Sequence, residues 1–132
     1  MRKIIFRGKI DDYDHKWVYG SLLSGGCLED KVVRILDNET GDEENVIPET
    51  VGQFTGLTDK NGKKIFEGDI ANCVEFNCCG KIDWNSEEAG FYFSVLLDGG
   101  SYEEEFIYDY SDELEIIGNI YDNPEMLKSK VD

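Results

Sequence analysis

Four cysteines, one histidine and a large surplus of carboxylates are the side chains from which this 132-residue chain could build chemistry. Cys73, Cys78 and Cys79 lie close together, and with Cys27 or His15 they are the best-defined candidate for a metal centre. Structural zinc, however, takes ligands roughly two to four residues apart and needs a second pair. Adjacent Cys78 and Cys79 on an extended segment would point to opposite faces. The spacing favours small thiols packed in or near a core. A Ser or Cys nucleophile needs a His base and an orienting acid. His15 is the single histidine and stands in the acidic link that also holds Asp12 and Asp14, so it is expected to face solvent. Glu103-Glu104-Glu105 and Asp109 to Glu115 offer hard oxygen ligands without EF-hand spacing, and they alternate with Tyr and Phe as a half-buried strand does. Among 29 acids a pair suited to glycoside hydrolysis carries no information. Gly99-Gly100 lacks the Lys and Ser or Thr of a phosphate-cradling loop. The expectation is a protein with no catalytic centre, no cofactor and no metal.

Charge narrows the partners. Asp and Glu number 29 against 13 Lys and Arg, giving a formal net charge of −16 and a pI near 4.3. A surface of that sign repels polyanions, so direct nucleic-acid binding is disfavoured. It steers association with a basic protein instead, and it also keeps the chain soluble. Trp17, Tyr19, Trp84 and Tyr92 could form a stacking platform for bases. Without positive charge around them they read as core or protein-contact residues, and a second copy of the chain is an acceptable partner. No run approaches the roughly 20 apolar residues of a membrane span, and Met1 to Arg7 lacks the apolar core of a signal peptide. A cytoplasmic location with reduced thiols is expected.

The elements that would position these residues follow a period of two. Residues 2–10 and 16–23 read as strands joined by the polar link Asp11 to Asp14, with Trp17 and Tyr19 on one face and Val18 on the other. A short strand over 32–36 precedes an exposed acidic loop, Asp37 to Asn45. Pro48, Glu49 and Thr50 make a single helical turn, with Glu49 as a candidate cap. Phe54 to Phe66 reads as two short β runs around a turn, for which Asn61-Gly62 is a strong hairpin signal. Strands follow at 70–76, 81–84, 91–97, within 102–112 and at 114–120, with turns at 77–80 and 98–101 and a polar loop at 85–90. Pro124 opens a terminal helical turn. The length suits one domain over residues 1–132, mainly β, and many short strands with tight turns favour a compact barrel.

The stretch Val46 to Ile70 (VIPETVGQFTGLTDKNGKKIFEGDI), the opening Phe6-Arg7-Gly8-Lys9 with Trp17-Val18-Tyr19-Gly20, and the closing Ile117-Gly118-Asn119-Ile120-Tyr121-Asp122-Asn123-Pro124-Glu125 resemble the YopX-like proteins of bacteriophages and prophages. The resemblance covers essentially the whole chain. It implies a small SH3-like β-barrel with additional strands and a short C-terminal helical turn, and it brings no active site. The adjacent Cys78 and Cys79 are not part of that pattern. Read as residues, the shared positions Pro48, Glu49, Thr50, Gly56, Asp59, Asn61, Gly62, Gly68, Asp69, Gly118 and Asn119 are turn chemistry. Glycines supply backbone freedom, and Asp69 can accept turn amides through its carboxylate. The function expected is a non-catalytic phage accessory protein that binds protein or itself. The alternatives are an acidic decoy that occupies the nucleic-acid site of a basic host protein and, far behind, a metal-binding enzyme.

Overall fold

The computed structural model describes residues 3–24, 32–73, 78–96, 102–107 and 110–127. Expectations that fall on Cys27, on 74–77, on 97–101 and on Tyr108 and Asp109 lie outside them. Of the described residues, 58% are strand and 11% helical, so the chain is mainly β. They gather into two compact units, Met1–Phe54 and Thr55–Asp132.

In the first unit, β1 (Phe6–Lys9), β2 (Trp17–Ser24), β3 (Val33–Asp37) and β4 (Glu43–Val46) form an antiparallel meander. Alternation decides the faces: Val18 and Ile35 turn inward with Val46, and Phe6, Ile10, Val33 and Val51 pack around them. The meander curls until the end of β4 reaches the chain just beyond β1. Ile10 bridges Val46, the Ile47 amide donates to the Lys9 carbonyl at 2.9 Å, and the Asp11 amide donates to the Asn45 carbonyl at 2.8 Å. Gly8 permits this approach, since a Cβ there would stand 3.1 Å from Val46 and 3.2 Å from Ile35. A strand at Glu43–Val46 corrects the expected loop at 37–45. Its acids are poor strand formers, but β3 supplies a full backbone ladder and leaves Glu43 exposed.

β5 (Gly52–Thr58) carries the chain onward; Gly52 and Gln53 pair with β1. In the second unit come β6 (Lys64–Phe66), β7 (Asp69–Cys73), β8 (Cys78–Asn85), β9 (Gly90–Leu96), β10 (Tyr102–Phe106) and β11 (Leu114–Asn119). The sheet runs β10-β9-β8-β7-β11, all antiparallel. Its core is Ile65, Ala71, Cys73, Ile82, Phe93, Ile107, Leu114 and Ile116. Cys78, Cys79 and Gly80 extend β8 instead of forming the expected turn at 77–80, because each faces a β7 residue across the ladder. Pro124–Leu127 is a short 3-10 turn. Among the described residues no ladder closes into a barrel, so the SH3-like closure implied by resemblance is reduced to two antiparallel sheets. The Ile10–Val46 contact is a single bridge where a barrel would need a continuous strand pair. Among the described residues no helix is long and apolar enough to cross a membrane.

Candidate functional site

Turn residues come first, because they set where everything else stands. Pro48–Thr50 is a 3-10 turn fastened by Thr50, whose hydroxyl donates to the Ile47 carbonyl (2.6 Å) and accepts the Lys9 amide (2.9 Å). Glu49 is exposed and makes no cap, which corrects the role considered for it. Thr50 instead binds the Lys9 amide of β1.

Asp59 is buried at 5% exposure where the chain leaves β5. One carboxylate oxygen accepts the Asn61 and Lys63 amides at 2.9 Å, and the other accepts the Ile116 amide of β11 at 2.9 Å. Burial raises its pKa, but the three amides and the Lys63 charge outweigh that, and the net direction is down. Within this turn only Gly62 takes a positive φ (82°); Asn61 does not, because the Asp59 carboxylate holds the loop from inside. Gly56 lies within β5 at φ 89° and not at a reversal. Gly68 (φ 91°) turns β6 into β7 against the Tyr121 ring. Beside it Asp69, 2% exposed, accepts the Phe66 amide at 2.7 Å. Asn119 accepts the Tyr121 and Asp122 amides, while a Cβ on Gly118 would strike the Asn123 side chain. Thr50, Asp59, Asp69 and Asn119 thus each hold backbone groups of their own turn or of a neighbouring strand.

The four candidate contact aromatics divide between the units. Trp17 and Tyr19 belong to β2. Arg7 lies 4.6 Å and Lys9 5.6 Å from the Trp17 ring centroid, so the chain's own cations flank that indole. Trp84 and Tyr92 belong to the second unit, which holds most of the charge. Residues 1–54 carry 11 acids and 7 Lys and Arg, a net −4, leaving −12 of the total −16 to residues 55–132.

At one end of the second sheet an open groove of about 420 Å³ is bordered by Asp83, Trp84, Glu87, Tyr92 and Glu104. Register builds it. Asp83 faces Tyr92, Tyr92 faces Phe106, and Glu104 pairs with Ser94, so three strands place these residues on one face; Trp84, paired with Phe91, belongs to the other face and borders the groove from the end of the sheet. Tyr92 stacks on Phe106 at 4.4 Å and donates its hydroxyl to Glu88 at 2.9 Å. Trp84 is 44% exposed, and the Phe91 ring meets it edge to face at 4.9 Å. The turn is fixed by the Asn85 side chain, which accepts the Glu87 and Glu88 amides at 3.0 and 3.1 Å. Gly90 follows because a Cβ there would meet the Phe106 ring. Sequence reasoning named Trp84 and Tyr92 but not Asp83 or Glu87, which lie beside the indole along the chain; Glu104 is the acid that register brings in, from β10. Among the described residues no group of three His, Cys, Asp or Glu could hold a metal ion. His15 is exposed at φ 49°, with Nδ1 3.2 Å from the Ile10 carbonyl.

Comparison with known proteins agrees with the turn signature. No curated protein matches the chain. Among solved structures it is similar to protein EF1440 from Enterococcus faecalis, with 23% identity, 97% of this chain and 100% of that one covered, and a TM-score of 0.47. The sequence profile of the YopX protein family matches residues 5–128, and the chain belongs to that family.

Proposed function

We propose that this chain is a non-catalytic protein-interaction module whose contact face is the groove beside Trp84, and that its partner presents basic side chains. The observation that supports the reading is the joining of a half-exposed, ring-supported indole to the carboxylates of Asp83, Glu87 and Glu104 in one groove. An indole face attracts a guanidinium or ammonium group, and the carboxylates neutralise it. Arginine fits better than lysine, because its planar fork can stack on the ring while bonding a carboxylate. Asp83 already attracts the Lys81 ammonium at 3.5 Å, an exposed pair that an incoming cation can displace at little cost.

The test is binding of an arginine-containing peptide against the same peptide with citrulline, which keeps the shape and removes the charge. Arginine should bind about tenfold more tightly, and Trp84→Ala should lose about fivefold, the equivalent of roughly 1 kcal/mol for one cation–π contact. Equal binding of both peptides, or no effect of Trp84→Ala, overturns the reading.

The concentration of −12 in residues 55–132 favours a narrower second reading, an acidic decoy that occupies the nucleic-acid site of a basic protein. Such attraction is screened over about 8 Å at physiological ionic strength. Association that persists undiminished in high salt contradicts it. Glu103, Glu104 and Glu105 alternate between the two faces of β10 and do not form a single row.

A further inference from the structure

The hairpin of β7 and β8 sets two thiols directly opposite one another. Cys73 pairs with Cys78 in the antiparallel register, at the end of the ladder where Ala71 faces Gly80 and Asn72 faces Cys79. Facing residues in such a ladder have Cα atoms about 4.5 or 5.5 Å apart, and disulfides span about 4.4–6.8 Å between Cα atoms. Both side chains turn to the same face: Cys73 is in the core of the second unit, and Cys78 is partly buried against that core. Cys79 turns to the opposite face, where its thiol approaches the Asn72 side-chain oxygen at 3.7 Å. Adjacent Cys78 and Cys79 are thus kept apart by the pleat, while Cys73 and Cys78 are held together by it.

We propose that Cys73 and Cys78 are a dithiol site that closes into a cross-strand disulfide on reaction with a low-molecular-weight disulfide such as oxidised glutathione. Cys78 is the more exposed of the two and reacts first. Its thiolate, having lost the proton to solvent, attacks one glutathione sulfur; a Cys78–glutathione bond forms, and one glutathione leaves as thiolate and takes up a proton. Cys73 then loses its proton and attacks the Cys78 sulfur, forming the Cys73–Cys78 bond and releasing the second glutathione. Two protein thiols are oxidised by two electrons, and one glutathione disulfide is reduced to two glutathiones. Burial, the neighbouring Cys73 and Cys79 thiols and Glu103 all push the Cys78 thiol up, so the first step accelerates with pH through and above the ordinary thiol range. The second step is favoured because the partner sulfur is already opposite. A cavity of about 80 Å³ beside Cys73, bordered by Phe93, Val95, Glu103, Glu105 and Tyr110, leaves room for the sulfur to turn.

The full-length Cys79→Ser variant, incubated with oxidised glutathione and digested with trypsin and a glutamate-specific protease, reads the outcome. Cleavage after Glu75 separates the two cysteines, so their peptides stay joined only through the new bond. The expected product has lost the mass of two hydrogens and carries a Cys73–Cys78 link. Its equilibrium with glutathione should lie at least tenfold further toward the disulfide than in the urea-unfolded chain. A lasting glutathione adduct on Cys78, a bond to Cys27, or an equilibrium unchanged by unfolding overturns the proposal. Wild-type protein checks the serine substitution: a Cys78–Cys79 bond there would overturn it as well. None of these results bears on peptide binding at Trp84, so this proposal and the interaction reading fail separately.

Discussion

At the scale of single residues, the side chain with the largest structural role is Asp59, which no charge count would distinguish from the other acids. Its carboxylate answers three backbone amides from two parts of the chain. Its pKa in the folded protein lies below the ordinary 3.8, so the unfolded chain takes up this proton first as pH falls. The stability Asp59 contributes is therefore complete above the ordinary carboxylate range and is lost as pH falls through the lowered value. Asp59→Asn, with one oxygen replaced by an amide group that cannot accept, should cost about 1–3 kcal/mol at neutral pH. It should also flatten the acid limb of the stability curve. Urea unfolding across pH checks both, and a variant with an unchanged acid limb would remove Asp59 from this role. The type of residue was legible in the sequence, as was its place beside Asn61-Gly62. Its bond to Ile116 was not, because no local pattern links positions so far apart.

At the scale of elements, close backbone approach governs the β8–β9 pair. A Cβ on Gly80 would stand against the Ser94 carbonyl and 2.9 Å from the Phe93 ring, both fixed by the sheet. Gly80→Ala should therefore destabilise the second unit by about 1–3 kcal/mol, read as a lower unfolding midpoint with an unchanged denaturant slope. A midpoint equal to wild type would show that the sheet yields there. Short strand-like runs bounded by turn residues sufficed to place β1, β2, β9 and β11. That signal failed for β4, where Glu43, Glu44 and Asn45 are held by ladder bonds that ignore side-chain type. It failed also at Gly56, which looks like a turn residue and is instead a left-handed step inside β5. The groove was half legible. Trp84 and Tyr92 attract notice as strand aromatics, Trp84 half-exposed and Tyr92 buried; of the acids beside them, Asp83 is the indole's own sequence neighbour, Glu87 stands at the hairpin tip, and only Glu104 of β10 needs strand register to arrive.

At the scale of the whole molecule, charge is divided unevenly along the chain. Residues 55–132 hold −12, and like charges at that density oppose compaction. Screening should relieve it: raising ionic strength from very low values to about 0.15 M, where the Debye length is about 8 Å, should raise the melting temperature by a few degrees. Calorimetry at matched pH decides this, and a melting temperature that falls with salt would mean that specific ion pairs outweigh repulsion. Lys60 with Glu115 and Lys81 with Asp83, both largely solvated, are too exposed to do so.

The bond from Asp59 to the Ile116 amide also has a consequence for synthesis on the ribosome. The pairings of the first unit are complete once residue 53 has emerged, so that unit can settle before the second is made. The loop after β5 must wait. Until residue 116 leaves the exit tunnel, one oxygen of Asp59 has only water to bond, and the edge of β7 that β11 will cover stays open. The nascent chain thus carries an unfinished sheet from the emergence of β7 until β11 follows, and β11, once made, closes both gaps in one event.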